Sequence, residues 1–146
     1  MSDAVEHGSG RVLVVEDSDA LRPLLSIMLN RRGYEVVAVA SGQDALETAD
    51  DSFDLVLLDV GLPDLNGLEV CRRLRAEPAT ADLAIILITG RDQPGDIHDG
   101  LAAGADDFVV KPFEEAELVA RLLKVSDKRP IGRIVSRENI AIAAAQ

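Results

Sequence analysis

Four short apolar runs in this chain end on a residue that can do chemistry. Arg11-Val12-Leu13-Val14-Val15 leads into Glu16 and Asp17, and the run Val56-Leu57-Leu58 of the stretch Asp54–Asp59 into Asp59. Leu83–Ile88 leads into Thr89, and Phe108-Val109-Val110 into Lys111. Carboxylates held a few ångströms apart repel one another. Two responses are open: protonation, or a bound cation. An all-oxygen donor set suits a hard divalent ion such as Mg2+, which keeps several of its waters. Such an ion would offset most of the charge and bridge an incoming phosphoryl group, while Lys111 pairs with another of its oxygens. The Thr89 hydroxyl and the backbone N–H groups after Asp59 can hold the remaining oxygens. A carboxylate in this setting can itself act as nucleophile and become an aspartyl phosphate. Each residue alone has an ordinary reading. Asp59 reads as a turn cap, Lys111 as a structural salt bridge and Thr89 as a strand terminator. Their recurrence at successive strand ends favours the joint reading.

The elements that must position these groups follow from periodicity. Unbroken apolar runs bounded by turn residues fit strands buried on both faces. Five are expected, the remaining one spanning Tyr34 to Ala40 and ending in neutral Ala40 and Ser41. Leu21, Leu24, Leu25, Met28 and Leu29 recur at helical spacing, with Ser18 as cap, Pro23 near the start and Gly33 at the end. A short helix opens at Ser41-Gly42. Another runs from Leu68 to about Ala76, with Leu68, Cys71 and Leu74 inward. A weak one spans Pro94 to Ala103 and the last spans Glu114 to Lys124. Strands alternating with helices predict an α/β fold, a doubly wound three-layer sandwich with a parallel sheet and right-handed crossovers. If the strand order is the flavodoxin-like 2-1-3-4-5, strands one and three meet at the switch point and the three carboxylates converge.

Composition narrows the function classes. The 146 residues suffice for one domain with a real core. A hydrophobic fraction of 47% argues for a globular chain. A net charge of -11 argues against direct nucleic acid binding. No apolar run is long enough to span a membrane, and the polar stretch 1–10, expected to be flexible, lacks the apolar core of a secretory signal. A cytoplasmic location is the simplest reading. The single cysteine, Cys71, reads as a core residue, and His7 and His98 as solvated surface residues without metal-ligand spacing.

The residues from Arg11 to Val125 resemble the receiver domain of two-component response regulators. Val14-Val15-Glu16-Asp17-Ser18 is similar to that family's acidic-pair motif, and Leu57 to Gly67 to its phosphoacceptor motif. Ile88-Thr89-Gly90 matches the hydroxyl position, and Gly104 to Phe108 with Lys111-Pro112-Phe113 matches the switch aromatic and the lysine. The resemblance implies that Asp59 receives phosphate from a sensor histidine kinase or a histidine phosphotransfer protein. It implies that Glu16, Asp17, Asp59 and the Gly61 carbonyl hold Mg2+, that Thr89 and Lys111 bind the phosphoryl oxygens, and that the peptide before Pro112 is cis. It further implies a switch in which Thr89 moves inward, Phe108 turns from exposed to buried, and the face made by helix four, strand five and helix five changes shape for a partner. A module of this kind catalyses only its own phosphorylation and dephosphorylation.

Some positions depart from the commonest pattern. Gly90 replaces the usual alanine, and Gly61 likewise offers no side chain over the site, so water should reach a phosphoryl group readily. Asp106, Asp107 and Arg121 resemble a set that supports homodimers, but Asp99 stands where that set often has a basic residue. Residues 126–146 form an extension or linker: locally basic Lys128, Arg129, Arg133 and Arg137, apolar Ile131, Ile134, Val135, Ile140 and Ile142, and a helix that Ser136 could cap. A dimer helix, a packed segment and a linker remain open for it. Two other classes fit the residues less well. A dehalogenase-like phosphatase needs a second Asp two residues after its nucleophile, where this chain has Gly61. A phosphorylation-independent pseudo-receiver would lack an acid or the lysine, and none is missing.

Overall fold

In the computed structural model, which describes residues 10–90 and 94–132, five strands alternate with five helices. The strands are β1 (Arg11–Val15), β2 (Glu35–Val39), β3 (Leu55–Asp59), β4 (Ala84–Gly90) and β5 (Asp107–Lys111). The helices are α1 (Leu21–Arg31), α2 (Gly42–Thr48), α3 (Gly67–Ala76), α4 (Pro94–Ala102) and α5 (Glu115–Ser126). All strand pairs are parallel, in the order β2-β1-β3-β4-β5. The α/β architecture and strand order expected from the sequence are therefore those observed.

Side-chain alternation explains the three layers, since successive residues of a strand point to opposite faces. Val12, Val14, Leu55 and Leu57 pack with Leu25 and Leu29 of α1 and Leu118, Leu122 and Val125 of α5. Leu13, Val15, Val56 and Leu58 pack on the other side with Ala45 of α2 and Val70, Cys71 and Leu74 of α3. Cys71 is buried, as its spacing suggested, and burial raises its thiol pKa.

Local boundaries shift by a residue or two, where hydrogen bonding overrides pattern. Ser18 does cap α1: its Oγ accepts from Leu21 N–H at 3.1 Å and its carbonyl from Arg22 N–H at 2.9 Å. Ser41 caps α2 by accepting from Asp44 N–H. Asn66, which the sequence marks only as a loop residue, caps α3 by accepting from Leu68 N–H at 2.7 Å. Gly104 is at φ 110°, a left-handed conformation that suits glycine. The Lys111-Pro112 bond is cis.

At the N-terminal edge of the sheet, here the floor, the chain closes beneath the strands. Ile131 is buried in the α1/α5 core with Tyr34. A Cβ on Gly10 would lie 2.4 Å from the Ile131 carbonyl oxygen and 2.7 Å from the Tyr34 ring, so only glycine fits there. The folded unit thus continues past residue 125. The expectations for His7, for the flexible N-terminal stretch and for the tail after Gly132 fall outside the described residues.

Candidate functional site

The site is built where β1 and β3 end side by side. Val15 pairs with Leu58, so the next residues along, Glu16 and Asp59, leave the sheet level with each other. Asp59 also pairs with Ile88, and Gly90 with Lys111, which carries β5 to the same edge. Carboxylate oxygens of Glu16, Asp17 and Asp59 all lie within 4.8 Å of one another. Glu16 and Asp59 are buried and Asp17 is exposed, so the cluster opens to solvent on one side. Lys111 reaches in from β5, its Nζ 3.2 Å from Glu16 Oε1 and 3.2 Å from Asp59 Oδ2.

Asp59 has a second fixed contact. Its Oδ1 accepts from Gly61 N–H at 3.0 Å, so the turn-capping role and the cluster role coexist. Gly67 lets the following helix come close: a Cβ there would lie 2.3 Å from the Asp59 carbonyl oxygen and 2.7 Å from Val60 Cα. Gly61, in contrast, has room, since a Cβ would meet only Asp59 Oδ1 at 3.9 Å. Asp64 accepts from the N–H groups of Gly42 and Gln43 at 2.9 Å each, tying the loop after β3 to the start of α2.

The electrostatics are strained. Three carboxylates face one ammonium. The Glu16 carboxyl is pushed up to about 7, mainly by burial, then by its hydrogen bond with Asp59 and the charge of Asp59. Ser18 N–H and Lys111 pull against that rise and do not overcome it. For Lys111, burial alone would lower the ammonium, but the charges of Asp59 and Glu16 outweigh it and its pKa is raised. Glu16 Oε1 is buried, and the Lys111 ammonium at 3.2 Å is its only polar partner among the described residues. A largely buried, all-oxygen cluster of three carboxylates with one ammonium carries an excess of negative charge that a hard cation would relieve, so these residues fit a divalent metal.

Thr89 and Phe108 stand apart from this cluster. Thr89 is buried beside it, yet its hydroxyl donates to the Gly90 carbonyl at 2.9 Å. Phe108 is half-buried against the α2/α3 side of the core, and the Arg121 guanidinium lies 5.2 Å from its ring centre. His98 is exposed on α4.

Residues 12–123 match the response regulator receiver domain family. The chain belongs to that family. It is 41% identical over 132 residues to the response regulator ArlR of Staphylococcus haemolyticus, covering 90% of this chain and 59% of that protein. The chain spans about half the length of the relatives it matches. Among solved structures, the receiver domain of a sensor histidine kinase from Pseudomonas aeruginosa, with magnesium coordinated in its active site cleft, superposes with a TM-score of 0.72. It is 34% identical, and the match covers 80% of this chain and 96% of that one. A chemotaxis response regulator of Vibrio cholerae gives 0.73 at 32% identity, covering 80% and 98%.

This receiver domain uses all three residues of the expected dimer set internally. The Asp106 side chain is only 2% exposed. It accepts from Arg75 Nη2 at 3.0 Å, Arg129 Nε at 2.8 Å and Ile85 N–H at 2.9 Å. Asp107 pairs with Arg121 of the same chain at 3.4 Å. The sequence offered no periodic signal for this use of Asp106, because Arg75 and Arg129 are distant along the chain. Among the described residues no helix is long and apolar enough to cross a membrane.

Proposed function

We propose that this receiver domain accepts a phosphoryl group on Asp59 from the phosphohistidine of a sensor histidine kinase or a histidine phosphotransfer protein. An Asp59 carboxylate oxygen attacks phosphorus, the O–P bond forms, the N–P bond breaks, and the electron pair leaves with the imidazole. The observation that carries this reading is the Glu16, Asp17 and Asp59 cluster with Lys111 at 3.2 Å from two of its members.

Glu16, Asp17, Asp59 and the Gly61 carbonyl would hold Mg2+. When bound, that ion would supply charge compensation for the phosphoryl oxygens. Lys111 keeps its ammonium proton and pairs with the transferred group as it now pairs with Asp59 Oδ2. Thr89 gives up its bond to the Gly90 carbonyl and donates to a phosphoryl oxygen instead. Phe108 then turns further into the space beside Thr89, and the α4–β5–α5 face changes shape for a partner or for an output region of the kind the longer relatives have room for. The magnesium of the Pseudomonas neighbour supports the choice of ion. This mode of action makes the chain a signalling module that turns over only its own acyl phosphate, and a cytoplasmic setting fits a kinase partner.

Incubation with acetyl phosphate and Mg2+, followed by intact mass, tests the reading. One phosphoryl mass should be gained, and it should vanish with chelator or in Asp59→Asn. A wild-type chain that gains no mass would be a pseudo-receiver, and steady release of phosphate with turnover would be a phosphatase.

A further inference from the structure

The loop that carries the two adjacent acids is held by a residue outside the cluster. Glu16 N–H bonds the Val39 carbonyl at 3.1 Å, which fixes the strand side of that residue. Its carbonyl lies past the last paired residue of β1 and accepts from Arg22 Nη1 at 2.9 Å. The peptide unit is planar, so that carbonyl and the Asp17 N–H turn together. Holding the oxygen therefore sets both the last backbone torsion of Glu16 and the first of Asp17. These torsions decide how the two carboxylates face each other.

Arg22 is itself anchored by the same loop. Its N–H donates to the Ser18 carbonyl at 2.9 Å, and Ser18 N–H donates to Glu16 Oε2 at 3.1 Å. Its second arm, Nη2, pairs with Asp19 at 2.7 Å, where Asp19 is 93% exposed. The connections close a ring from Glu16 through Ser18 and Arg22 back to Glu16. A cation in the first turn of a helix opposes the helix dipole, so its place there is not explained by helix stability. A guanidinium, with donors in a fixed fork, suits the bridging task.

We propose that Arg22 is a positioning residue of the metal site: it locks the peptide plane between Glu16 and Asp17 so that both carboxylates address one ion. The inference rests on the reading of the cluster as a Mg2+ site, and the two can fail separately. Partners of this kind around a metal are worth about 10-fold or more in affinity. Arg22→Met keeps the apolar stem and removes every donor. Titration calorimetry with MgCl2 should show binding about 10-fold weaker than wild type. Charge alone predicts the opposite sign, because removing a cation beside an acidic cluster favours a second cation. Unchanged or tighter binding would overturn the proposal. Asp19→Asn removes only the exposed arm and should leave affinity within about twofold. A loss as large as that of Arg22→Met would assign the effect to the exposed pair and overturn the proposal too.

In chelator, hydrogen exchange at the Ser18 amide should accelerate in Arg22→Met by about 10-fold, with exchange in β3 unchanged. Should wild type bind no Mg2+, the metal reading falls while this exchange result still decides whether Arg22 holds the loop. Unchanged Ser18 exchange sinks that hold. If Arg22→Met does not fold, Arg22→Lys keeps the charge with one donor arm, and weaker Mg2+ binding is again expected, with wild-type affinity the contrary result.

Discussion

Two buried carboxylate sites lie at opposite ends of one sheet, and their charges are balanced in opposite ways. At the C-terminal edge, Glu16, Asp17 and Asp59 share Lys111. At the floor, the single Asp106 carboxylate has Arg75 and Arg129 at hydrogen-bond distance and Lys128 at 3.5 Å. Burial works against ionisation of Asp106, but hydrogen bonds from Arg129 and Ile85 N–H, with the charges of both arginines, outweigh it and lower its pKa. Arg75 also donates to the carbonyls of Gly104 and Ala81 at 2.9 Å each, so the floor site staples α3 to two loops and, through Asp106 and Arg129, to the segment after α5. A saturated site serves the fold. A site left short of positive charge is one that a cation could complete.

The largest test of that contrast is Asp106→Ala. Leaving two arginines without their shared anion should cost about 3 kcal/mol in urea unfolding, with Mg2+ affinity of the folded protein unchanged. A loss under about 1 kcal/mol would erase the distinction between the sites. Gly67→Ala should come next, at about 1–3 kcal/mol, because the added methyl overlaps the Asp59 carbonyl. Unlike Asp106→Ala, it should also weaken Mg2+ binding, since the overlap displaces the backbone of Asp59.

The two ends also answer pH with opposite sign. Asp106, with a lowered pKa, contributes stability above its unfolded pKa that is lost as pH falls through the folded value. Glu16, raised to about 7, contributes stability that is fully present below 4.5 and is lost as pH rises through about 7. Metal-free protein should therefore lose stability between pH 4.5 and about pH 7 as measured by thermal melts, the span of the Glu16 shift. Glu16→Gln should flatten that slope, gain about 1 kcal/mol at the alkaline end without metal, and lose Mg2+ binding. A steeper slope in the variant would contradict the assignment. The smallest effect is expected at Gly61→Leu, where a side chain has room beside Asp59 Oδ1. Stability should stay within about 0.5 kcal/mol, while the acyl phosphate survives severalfold longer in a mass time course.

How much of this was legible in the sequence follows from the range of each interaction. The acids and Lys111 could be placed because each follows an apolar run, and parallel strands bring such ends to one edge. The α1 cap at Ser18 and the core role of Cys71 were legible as local pattern. Asp106 was not. Its partners, Arg75 and Arg129, lie 31 and 23 residues away along the chain, and no periodicity links them. Arg22 was equally silent, since its partner is a backbone carbonyl that every residue possesses. The cation in the first turn of α1 was the one available hint. The burial of Ile131 depends on the absence of a side chain at Gly10, a three-dimensional fit with no local signature.

Gly132, the last described residue, directly follows Ile131, which is buried beneath the strands. A strand of five residues is roughly 16 Å long, and about that height separates Ile131 from Asp59. The last described residues thus sit at the keel of the sheet and the reactive groups at its masthead. Any coupling between these two poles would have to cross the full length of the strands or run along the helices packed beside them.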